Sequence, residues 1–531
     1  MVGIIVSQKK LEKKTGLKGD ALYEALAGIK CGFEGLNGDE LKLEVTPDRP
    51  DLLSAEGIIR YLNGVQGKEK GIPKLKFSES KDEIIIDSKL KKIRPIVVGA
   101  IVECSLNEQD FEELIQIQEK LTLTHGRRRK KVAIGVHDCS SIHFPITYTT
   151  GKPSEKFVPL KEEKTMTLHE VLKDTEKGKE YAFILKDLSE YPIIRDASGK
   201  IISFPPILNS AATAVTTKTK KMLVEITGTD FNACNSALLI MLQDFADKGW
   251  KIYSLKNGLQ LKEEEMVLKT SDASKTIGVE LTQKQLISLL QKARLDAEAK
   301  GKDSVLVKIP GYRTDFLHWI DLVEEAAIAF GLNEMHPITP RVFTKGSLSN
   351  ETLVEEKIRD LMIGFGFTEL NTHVLTSPEK NDRAFASSDL VKIKNPVSSD
   401  YNALRSTILP SLMQVLSKNT HLTYPQKLFE VGEVVINDSK RDQRTRTQTH
   451  LCVIDCSSDS NLSSVASILS KLFEVELKPL ESKQFINGRS ASVFNKNKKI
   501  GVIGEASPEL LEKYSIQVPA SIFEVVIYDE R

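Results

Sequence analysis

Four carboxylates that could hold a divalent cation lie between residues 315 and 325: Asp315, Asp321, Glu324 and Glu325. If Asp321 starts a helix, Glu324 and Glu325 follow it by three and four residues and project from the same side. Asp315, in the preceding turn, could fold back towards them. Carboxylate oxygens suit Mg²⁺, but acidic residues in a first helical turn also favour the helix dipole without any metal. The spacing alone leaves both interpretations open.

Two clusters of basic residues are candidates for contact with phosphate groups. One is the run Arg127, Arg128, Arg129, Lys130 and Lys131, and the other contains Lys440, Arg441, Arg444 and Arg446. Each cluster also has a simpler interpretation. The first could be a solvated loop between two elements, and the second could be the exposed tip of a β-hairpin.

Several other kinds of site are not indicated. His137 and His318 have no serine or cysteine at a recognisable catalytic spacing, and neither GxxxxGK[ST] nor GxGxxG occurs. The six cysteines contain no CxxC pair, which favours free thiols in a reducing compartment. Cys452 and Cys456 fall in a strand-like segment, LCVIDC, where a zinc site would need two further ligands.

Charge and hydrophobicity restrict the class of protein. The 531 residues carry 74 Lys and Arg against 73 Asp and Glu, so the net charge is +1 and any nucleic acid must be bound by local patches. This length corresponds to roughly three to four domains. Because no apolar run reaches the roughly 18 residues of a membrane span, and because lysines follow the short apolar N-terminal stretch, we predict neither a membrane span nor a signal peptide.

The order of helix-like and strand-like patterns predicts an α+β, multidomain protein with segments 1–90, 91–252, 260–337 and 338–531. A Lys-, Gly- and Ser-rich linker is predicted from Gly67 to Lys81. In 260–337, Thr282 and Gln285 form a capping box, and a later helix ends at Gly331. In 338–531, several long strand-like runs predict an antiparallel sheet.

One short pattern occurs twice, each time before a helix. Residues 49–53 read RPDLL and residues 313–317 read RTDFL, so both follow the pattern Arg-x-Asp-apolar-Leu. The simplest physical interpretation is that the aspartate caps the following helix while the arginine anchors the turn.

Taken in order, several phrases of the sequence resemble the β subunit of phenylalanyl-tRNA synthetase in its archaeal and eukaryotic cytosolic form, over nearly the whole chain. The phrases are RPDLL, RRRKKVAIGVHD, YPIIRDASGKIISFPPILN, EITGTD, GYRTDFLHWIDLVEEAAIAFG, NPVSSDYNALRSTILPSLM, KLFEVGEVV, FINGRSASV and IGVIGEASPELL.

The resemblance implies a cytoplasmic ligase of two alpha and two beta subunits that attaches phenylalanine to tRNA(Phe). It implies that ATP is used at the active site of the alpha subunit, and that a magnesium site shared with that subunit falls on Asp315, Asp321, Glu324 and Glu325. Segment 91–252 would be a mixed α/β editing domain that hydrolyses Tyr-tRNA. Segment 260–337 would be a small winged-helix-like domain.

The last segment, 338–531, would be a class II synthetase-like antiparallel sheet without adenylation motifs. A working class II enzyme needs an arginine in its third motif, yet the only arginine after Arg489 is Arg531. Gln426 and Lys427 also do not supply the Arg-x-Glu pair of the second motif. Because the sequence stops after SIFEVVIYDER, a separate RNA-recognition domain of the bacterial type is not expected.

The resemblance places the editing pocket at Ile194, Ser203, Asn209, Glu225 and Thr227. Glu225 or Thr227 would bind the tyrosine hydroxyl, and Ser203 and Asn209 would position the ester. No general base is evident in the sequence. The alternatives are a non-catalytic scaffold that binds nucleic acid through 260–337 and a free-standing aminoacyl-tRNA deacylase.

Overall fold

Two compact units, Met1–Thr339 and Pro340–Arg531, make up the chain. The computed structural model describes residues 2–256, 259–261, 263–386 and 389–529. Arg531, which bears on the predicted loss of the third class II motif, lies outside the described residues.

The strands of the first unit are as follows: β1 Val2–Ser7, β2 Cys31–Asn37, β3 Glu40–Val45, β4 Ser78–Ile86, β5 Ile96–Glu103, β6 Val132–Asp138, β7 Ile146–Gly151, β8 Lys156–Phe157, β9 Met166–Thr167, β10 Tyr191–Arg195, β11 Ile201–Phe204, β12 Leu208–Asn209, β13 Lys221–Gly228, β14 Lys251–Lys256, β15 Glu264–Lys269, β16 Asp296–Lys300 and β17 Ser304–Ile309. Its helices are α1 Gln8–Thr15, α2 Asp20–Gly28, α3 Ala55–Val65, α4 Glu108–Leu123, α5 Leu168–Asp174, α6 Glu176–Tyr181, α7 Phe231–Asp247, α8 Thr270–Ile277, α9 Gln283–Lys292 and α10 Trp319–Phe330.

The central feature of this unit, within the described residues, is a nine-stranded sheet in the order β12-β11-β10-β7-β4-β14-β5-β13-β6. Its strands form because they are rich in β-branched residues that pack on both faces. The six inner residues of β5 and all but the first residue of β13 are buried. Helices α4 and α7 cover one face, and α7 contributes buried residues along most of its length. Two smaller sheets, β1-β3-β2 and β15-β17-β16, lie outside this one.

Strand β4 corrects the predicted organisation of the N-terminal third. The predicted linker from Gly67 to Lys81 overlaps the start of β4 at Ser78, and the predicted boundary at residue 90 would separate β4 from its sheet. Yet β4 pairs in parallel with both β7 and β14 near the middle of the nine strands. The linker interpretation failed because SESKDEIII begins with six polar residues, and only its last three positions are apolar.

The capping predictions are confirmed at some helices and wrong at others. Thr282 and Gln285 form the predicted capping box at α9, and α10 ends at Gly331. Asp51, however, does not cap α3: Ser54 does, by accepting a hydrogen bond from the backbone of Gly57. Helix α10 starts at Trp319 rather than at Asp321, whose carboxylate closes a capping box around His318.

The two Arg-x-Asp turns meet inside the first unit. Arg49 forms a bidentate ion pair with Asp51, with distances of 2.9 and 2.8 Å, and Arg313 forms one with Asp315, with distances of 2.9 and 2.7 Å. Both guanidinium groups also contact the buried carboxylate of Glu325, at 3.2 Å from Arg49 and 2.9 Å from Arg313. The aspartates therefore orient the arginines rather than cap helices, and Glu325 joins the two turns.

The surroundings of this cluster keep it charged although it is buried. The hydroxyl of Tyr61, on α3, donates to Glu325 at 2.5 Å, and the Arg49 guanidinium lies 4.3 Å from the centre of the Tyr61 ring. Burial alone would raise the pKa of Asp51, but the Arg49 guanidinium lowers it to about 2. The fixed charges hold α10 of the small module against α3 of the N-terminal segment.

In the second unit the helices are α11 Asn350–Gly364, α12 Pro378–Arg383, α13 Leu409–Lys418, α14 Leu462–Leu472 and α15 Pro508–Lys513. The strands are β18 Thr368–Glu369, β19 Leu375–Thr376, β20 Ala403–Leu404, β21 Gln426–Asn437, β22 Thr445–Cys456, β23 Glu476–Pro479, β24 Phe485–Asn495, β25 Lys498–Ala506 and β26 Ala520–Asp529. Seven strands in the described part of this unit form a sheet in the order β18-β21-β22-β26-β25-β24-β23.

The sheet of the second unit is antiparallel as predicted, except where the short β18 pairs in parallel with β21. Apolar residues from both of its faces form two separate cores, one against α13 and α15 and one against α11 and α14. The basic residues from Lys440 to Arg446 lie at and beside the turn between β21 and β22, which agrees with the hairpin interpretation.

Replacing Glu325 by alanine should strongly destabilise the first unit. The change would leave two buried guanidinium groups without their shared carboxylate, and breaking a buried charge pair from one side typically costs about 3–5 kcal/mol. The neighbouring Glu324 is 53% exposed and pairs with Lys30 at the surface. Glu324→Ala is therefore the matched control, with an expected loss below about 1 kcal/mol. Urea denaturation of the full chain would measure both, and similar values for the two variants would contradict the role of Glu325.

Candidate functional site

A cavity of about 250 Å³ lies where the two outermost strands of the nine-stranded sheet, β12 and β6, approach each other. The side-chain amide of Asn209, on β12, donates to the carbonyl of Val136, on β6, at 3.2 Å. The curled sheet forms the floor of the cavity, and the segment Pro205–Leu208 forms part of its wall. The site is thus built from strands that are distant along the chain.

Three of the five predicted pocket residues line this cavity together: Ser203, Asn209 and Glu225. Ser203 and Asn209 are register partners on β11 and β12, so their side chains lie on the same face. The Ser203 hydroxyl lies 2.9 Å from Glu225 Oε1 and 3.2 Å from Asn209 Oδ1. Since a carboxylate only accepts hydrogen bonds, Ser203 donates to Glu225 and fixes that carboxylate.

Glu225 lies between two glycines, one of which leaves space for its carboxylate. Its register partners on both neighbouring strands are glycines, Gly99 on β5 and Gly135 on β6. A Cβ atom at Gly135 would lie 2.2 Å from Glu225 Oε1. A glycine inside a strand often marks a close approach to another group, and these two were not singled out from the sequence.

A histidine missing from the predicted pocket completes the polar cluster. His137, on β6, is fully buried, and its Nδ1 lies 2.8 Å from the hydroxyl of Thr213. Its Nε2 lies 3.6 Å from Glu225 Oε1. Neither His137 Nε2 nor Glu225 Oε2 has a hydrogen-bond partner, although both atoms are buried. The sequence signal was a polar residue within an otherwise apolar buried strand, VAIGVHD.

The other two predicted residues lie deeper. Ile194 is fully buried and packs in an apolar core with residues such as Tyr148 and Leu223. The Thr227 hydroxyl accepts a hydrogen bond from Arg94 Nε at 3.1 Å, and the Thr227 carbonyl accepts one from Arg94 Nη2 at 2.6 Å. Both residues support the cavity from behind, while a direct contact with substrate stays a prediction.

The four carboxylates of the predicted magnesium site do not converge in this chain. Asp315 and Glu325 form ion pairs with arginines, as described above. Asp321 accepts hydrogen bonds from the backbone of Leu317 and His318 at 2.7 and 2.8 Å. Glu324 lies 2.8 Å from Lys30. In the described ranges, no group of three or more His, Cys, Asp or Glu residues is arranged to hold a metal ion. As folded here the residues do not fit the metal, and the magnesium site stays a prediction.

The cysteines offer no nucleophile at this site. All six are free, as predicted. Burial raises the pKa of Cys139 and of Cys234 to about 12, which keeps both thiols protonated near neutral pH.

The helices in the described part of the chain include none long and apolar enough to cross a membrane.

Family comparisons agree with this architecture. The description "B3/4 domain" matches residues 103–237, which contain the cavity, and "tRNA synthetase B5 domain" matches residues 266–332, which contain the acidic cluster. "Phenylalanyl tRNA synthetase beta chain CLM domain" matches residues 336–527, most of the second unit. These descriptions define a tRNA synthetase subunit.

Curated relatives identify the family. The chain is 37% identical to the phenylalanine–tRNA ligase beta subunit of Pyrococcus furiosus over 90% of this chain and 89% of the relative. It is 36% identical to that of Korarchaeum cryptofilum, over 98% and 97%. The chain therefore belongs to the phenylalanine–tRNA ligase beta subunits. A solved N-terminal fragment of the Pyrococcus horikoshii phenylalanyl-tRNA synthetase beta subunit covers 62% of this chain, and 99% of the fragment is matched, with 36% identity and a TM-score of 0.60.

Replacing Gly135 by alanine tests the space around Glu225. The added methyl group would overlap the Glu225 carboxylate, and overpacking of this kind typically costs about 1–3 kcal/mol. Gly3→Ala, on β1, is the control because a Cβ atom there meets nothing within 4 Å. Urea denaturation should show a loss for Gly135→Ala and a change below about 0.5 kcal/mol for Gly3→Ala. Equal stability of the two variants would mean that the cavity does not need this glycine.

Proposed function

We propose that the chain is the beta subunit of a cytoplasmic phenylalanine–tRNA ligase and that its cavity hydrolyses Tyr-tRNA. In this proposal an alpha subunit attaches phenylalanine to tRNA(Phe) with ATP, in an assembly of two alpha and two beta subunits. Family membership supports the ligase role, and the cavity geometry supports the editing role.

An editing site is needed because the ligase reaction discriminates poorly between phenylalanine and tyrosine. Phenylalanine and tyrosine differ by one hydroxyl group, and a hydrophobic pocket rejects an added hydroxyl only weakly, by about a hundredfold. A second site that requires the hydroxyl discriminates in the opposite sense, because its buried polar groups are left unpaired when phenylalanine enters.

The observation that carries the proposal is the pair of unpartnered buried atoms beside the cavity. Thr213 also lies within hydrogen-bond distance of the carbonyl of Ser210, at 3.3 Å. If Thr213 donates to that carbonyl, its oxygen accepts the Nδ1 proton of His137. Nε2 is then an acceptor, like Glu225 Oε2. The phenolic O–H of tyrosine, which phenylalanine lacks, can donate a hydrogen bond to one of these two acceptors.

The remaining groups have supporting roles in this proposal. The Asn209 carboxamide at the opening is half-buried and positions the ester together with Ser203. No side chain of the cavity is assigned as general base. The hydrolytic water is held by backbone groups and by the substrate itself.

The second unit has a supporting role in the proposal, without adenylation of its own. Its buried Arg405 pairs with Glu430, on β21, at 2.8 Å, and its Arg489 pairs with Glu505 at the surface. Neither arginine is free to hold ATP phosphates. We assign the class II-like sheet and the winged-helix-like module to assembly with the alpha subunit and to tRNA contact.

Glu225→Ala should lower the kcat/KM for hydrolysis of Tyr-tRNA(Phe). A hydrogen bond to a charged group contributes about 1.5–3 kcal/mol, which corresponds to a roughly 10- to 150-fold loss. Glu112→Ala, which removes an exposed carboxylate of α4 outside the cavity, is the matched control and should change the rate less than about threefold. Release of radiolabelled tyrosine would measure both rates. Unchanged hydrolysis by Glu225→Ala would refute the role of Glu225.

The partner role makes a separate prediction about α11. Val354 and Leu361 lie seven residues apart on this helix, so they share a face, and they are 48% and 40% exposed. Exposed apolar pairs of this kind are typical of protein interfaces. The double variant Val354→Asp/Leu361→Asp should fail to assemble with the alpha subunit. Size-exclusion chromatography and Phe-tRNA synthesis would measure this loss.

The control for this interface is Glu356→Ala/Lys357→Ala, which changes two exposed polar residues of the same helix. This variant should assemble normally. Normal assembly of the aspartate variant would exclude this face of α11 as a contact with the alpha subunit.

A further inference from the structure

The basic run beside the cavity has an unusual backbone. Arg127, Arg128 and Arg129 have φ angles of 49°, 52° and 65°, so three consecutive non-glycine residues are left-handed. Residues with a side chain seldom adopt this conformation. Single residues of this kind occur in turns, but a run of three needs support from its surroundings. We call residues 127–131 the basic turn.

One half-buried and one buried guanidinium group fix the basic turn, the first to the cavity wall and the second to β13. Arg129 itself points inward, donates to the carbonyls of Pro206 and Ile207 at 3.0 and 2.6 Å, and lies 4.2 Å from the centre of the Tyr181 ring. Arg94 donates to the carbonyls of Arg129 and Lys130, both at 3.2 Å, and also binds Thr227 on β13. The basic turn therefore has a fixed position relative to Ser203 and Glu225.

The outward side of the basic turn carries positive charge. Arg127, Arg128 and Lys130 are exposed. None of these three forms an ion pair with a carboxylate of the described residues, whereas Lys131 lies 3.9 Å from Asp230. Uncompensated cations held in a fixed turn are suited to phosphate groups.

An exposed aromatic ring lies beside these cations. Phe183 is 46% exposed, and Lys130 Nζ lies 5.1 Å from the centre of its ring. Proteins bind single-stranded nucleic acid by combining cations for the backbone with aromatic rings on which bases stack. Bases inside a duplex are already stacked on both faces and leave no room for such a ring.

The basic turn also separates two concave surfaces. Arg129 lines the cavity, whereas Arg127 and Lys131 line a polar groove of about 740 Å³ beside the start of α7. A single strand of nucleic acid that follows the groove reaches the cavity by crossing the basic turn. The turn is therefore placed where the end of such a strand enters.

We propose that the basic turn binds the single-stranded 3′ end of tRNA, with Arg127, Arg128 and Lys130 on its phosphates and Phe183 against a base. This contact delivers the esterified terminal adenosine to the cavity. The inference rests on the proposed editing function and adds to it the surface that recognises the RNA part of the substrate.

The test is direct binding of a fluorescent RNA hairpin that ends in a 3′-ACCA overhang, with a blunt hairpin for comparison, to the full chain. The charge variant is Arg127→Asn/Arg128→Asn/Lys130→Gln, because asparagine tolerates left-handed backbone. Its Kd for the overhang hairpin should rise at least about tenfold. The slope of log Kd against log salt should fall by about 2, from three contacts at about 0.7 each. The blunt hairpin should bind both proteins within about twofold.

A second variant, Phe183→Leu, keeps apolar volume but removes the stacking surface. Its Kd for the overhang hairpin should rise at least about fivefold while the salt slope stays unchanged, because stacking is not electrostatic. The matched control Lys9→Gln/Lys13→Gln/Lys14→Gln removes the same charge from exposed positions on α1 and should change Kd less than about twofold.

Three results would overturn the inference: an unchanged Kd and slope in the charge variant, an equal loss in the control, or an equal loss with the blunt hairpin. The readout needs no ester and is therefore independent of the editing proposal. A chain that binds the overhang through the basic turn but hydrolyses no Tyr-tRNA would keep this contact and reject editing. If the chain hydrolyses Tyr-tRNA but the charge variant binds the overhang hairpin with an unchanged Kd, the editing proposal stands and this contact is rejected.

Discussion

The first unit depends on one buried carboxylate shared between two arginines. Glu325 forms ion pairs with Arg49 of the N-terminal segment and with Arg313 of the turn before α10. Asp51 orients the first arginine and Asp315 the second. Buried charges are costly unless every group is paired, so the two turns are stable only together. This requirement fixes α3 against α10, and α3 also reaches α7, where Arg60 pairs with Asp244 and Asp247.

The same frame supports the cavity. Helix α7 packs on the face of β13 opposite to Glu225, because residues on a strand alternate between faces. Met222, Val224 and Ile226 belong to the large apolar core with α7, while Glu225 faces the cavity. Arg94 and Thr227 then connect β13 to the basic turn. Residues behind the cavity thus determine where the cavity side chains lie.

Local patterns in the sequence predicted local structure well. The capping box at Thr282 and the end of α10 at Gly331 both follow from neighbouring residues, and the structure has them. Ser203, Asn209 and Glu225 were predicted through family resemblance, and the fold brings these three together.

What sequence reasoning missed depends on contacts between distant segments. Glu324 and Glu325 are adjacent in the chain, yet one is 53% exposed and the other 2%, because only Glu325 faces the arginines. The magnesium hypothesis treated them alike. His137 and Gly135 could not be placed beside Glu225 before the pairing of β6 with β13 was known. The repeated Arg-x-Asp pattern was visible, but its meaning required a third residue far along the chain.

The central position of β4 limits how the chain can be divided. A fragment of residues 91–252 contains all the cavity side chains but lacks β4 and all but the first two residues of β14, so its sheet would be left as two pieces, β12-β11-β10-β7 and β5-β13-β6. Each piece would expose an edge that is normally paired, which favours aggregation. A fragment that keeps the sheet whole must begin no later than Ser78 and continue to Lys256, so the folded unit around the cavity extends beyond the B3/4 match at residues 103–237 on both sides.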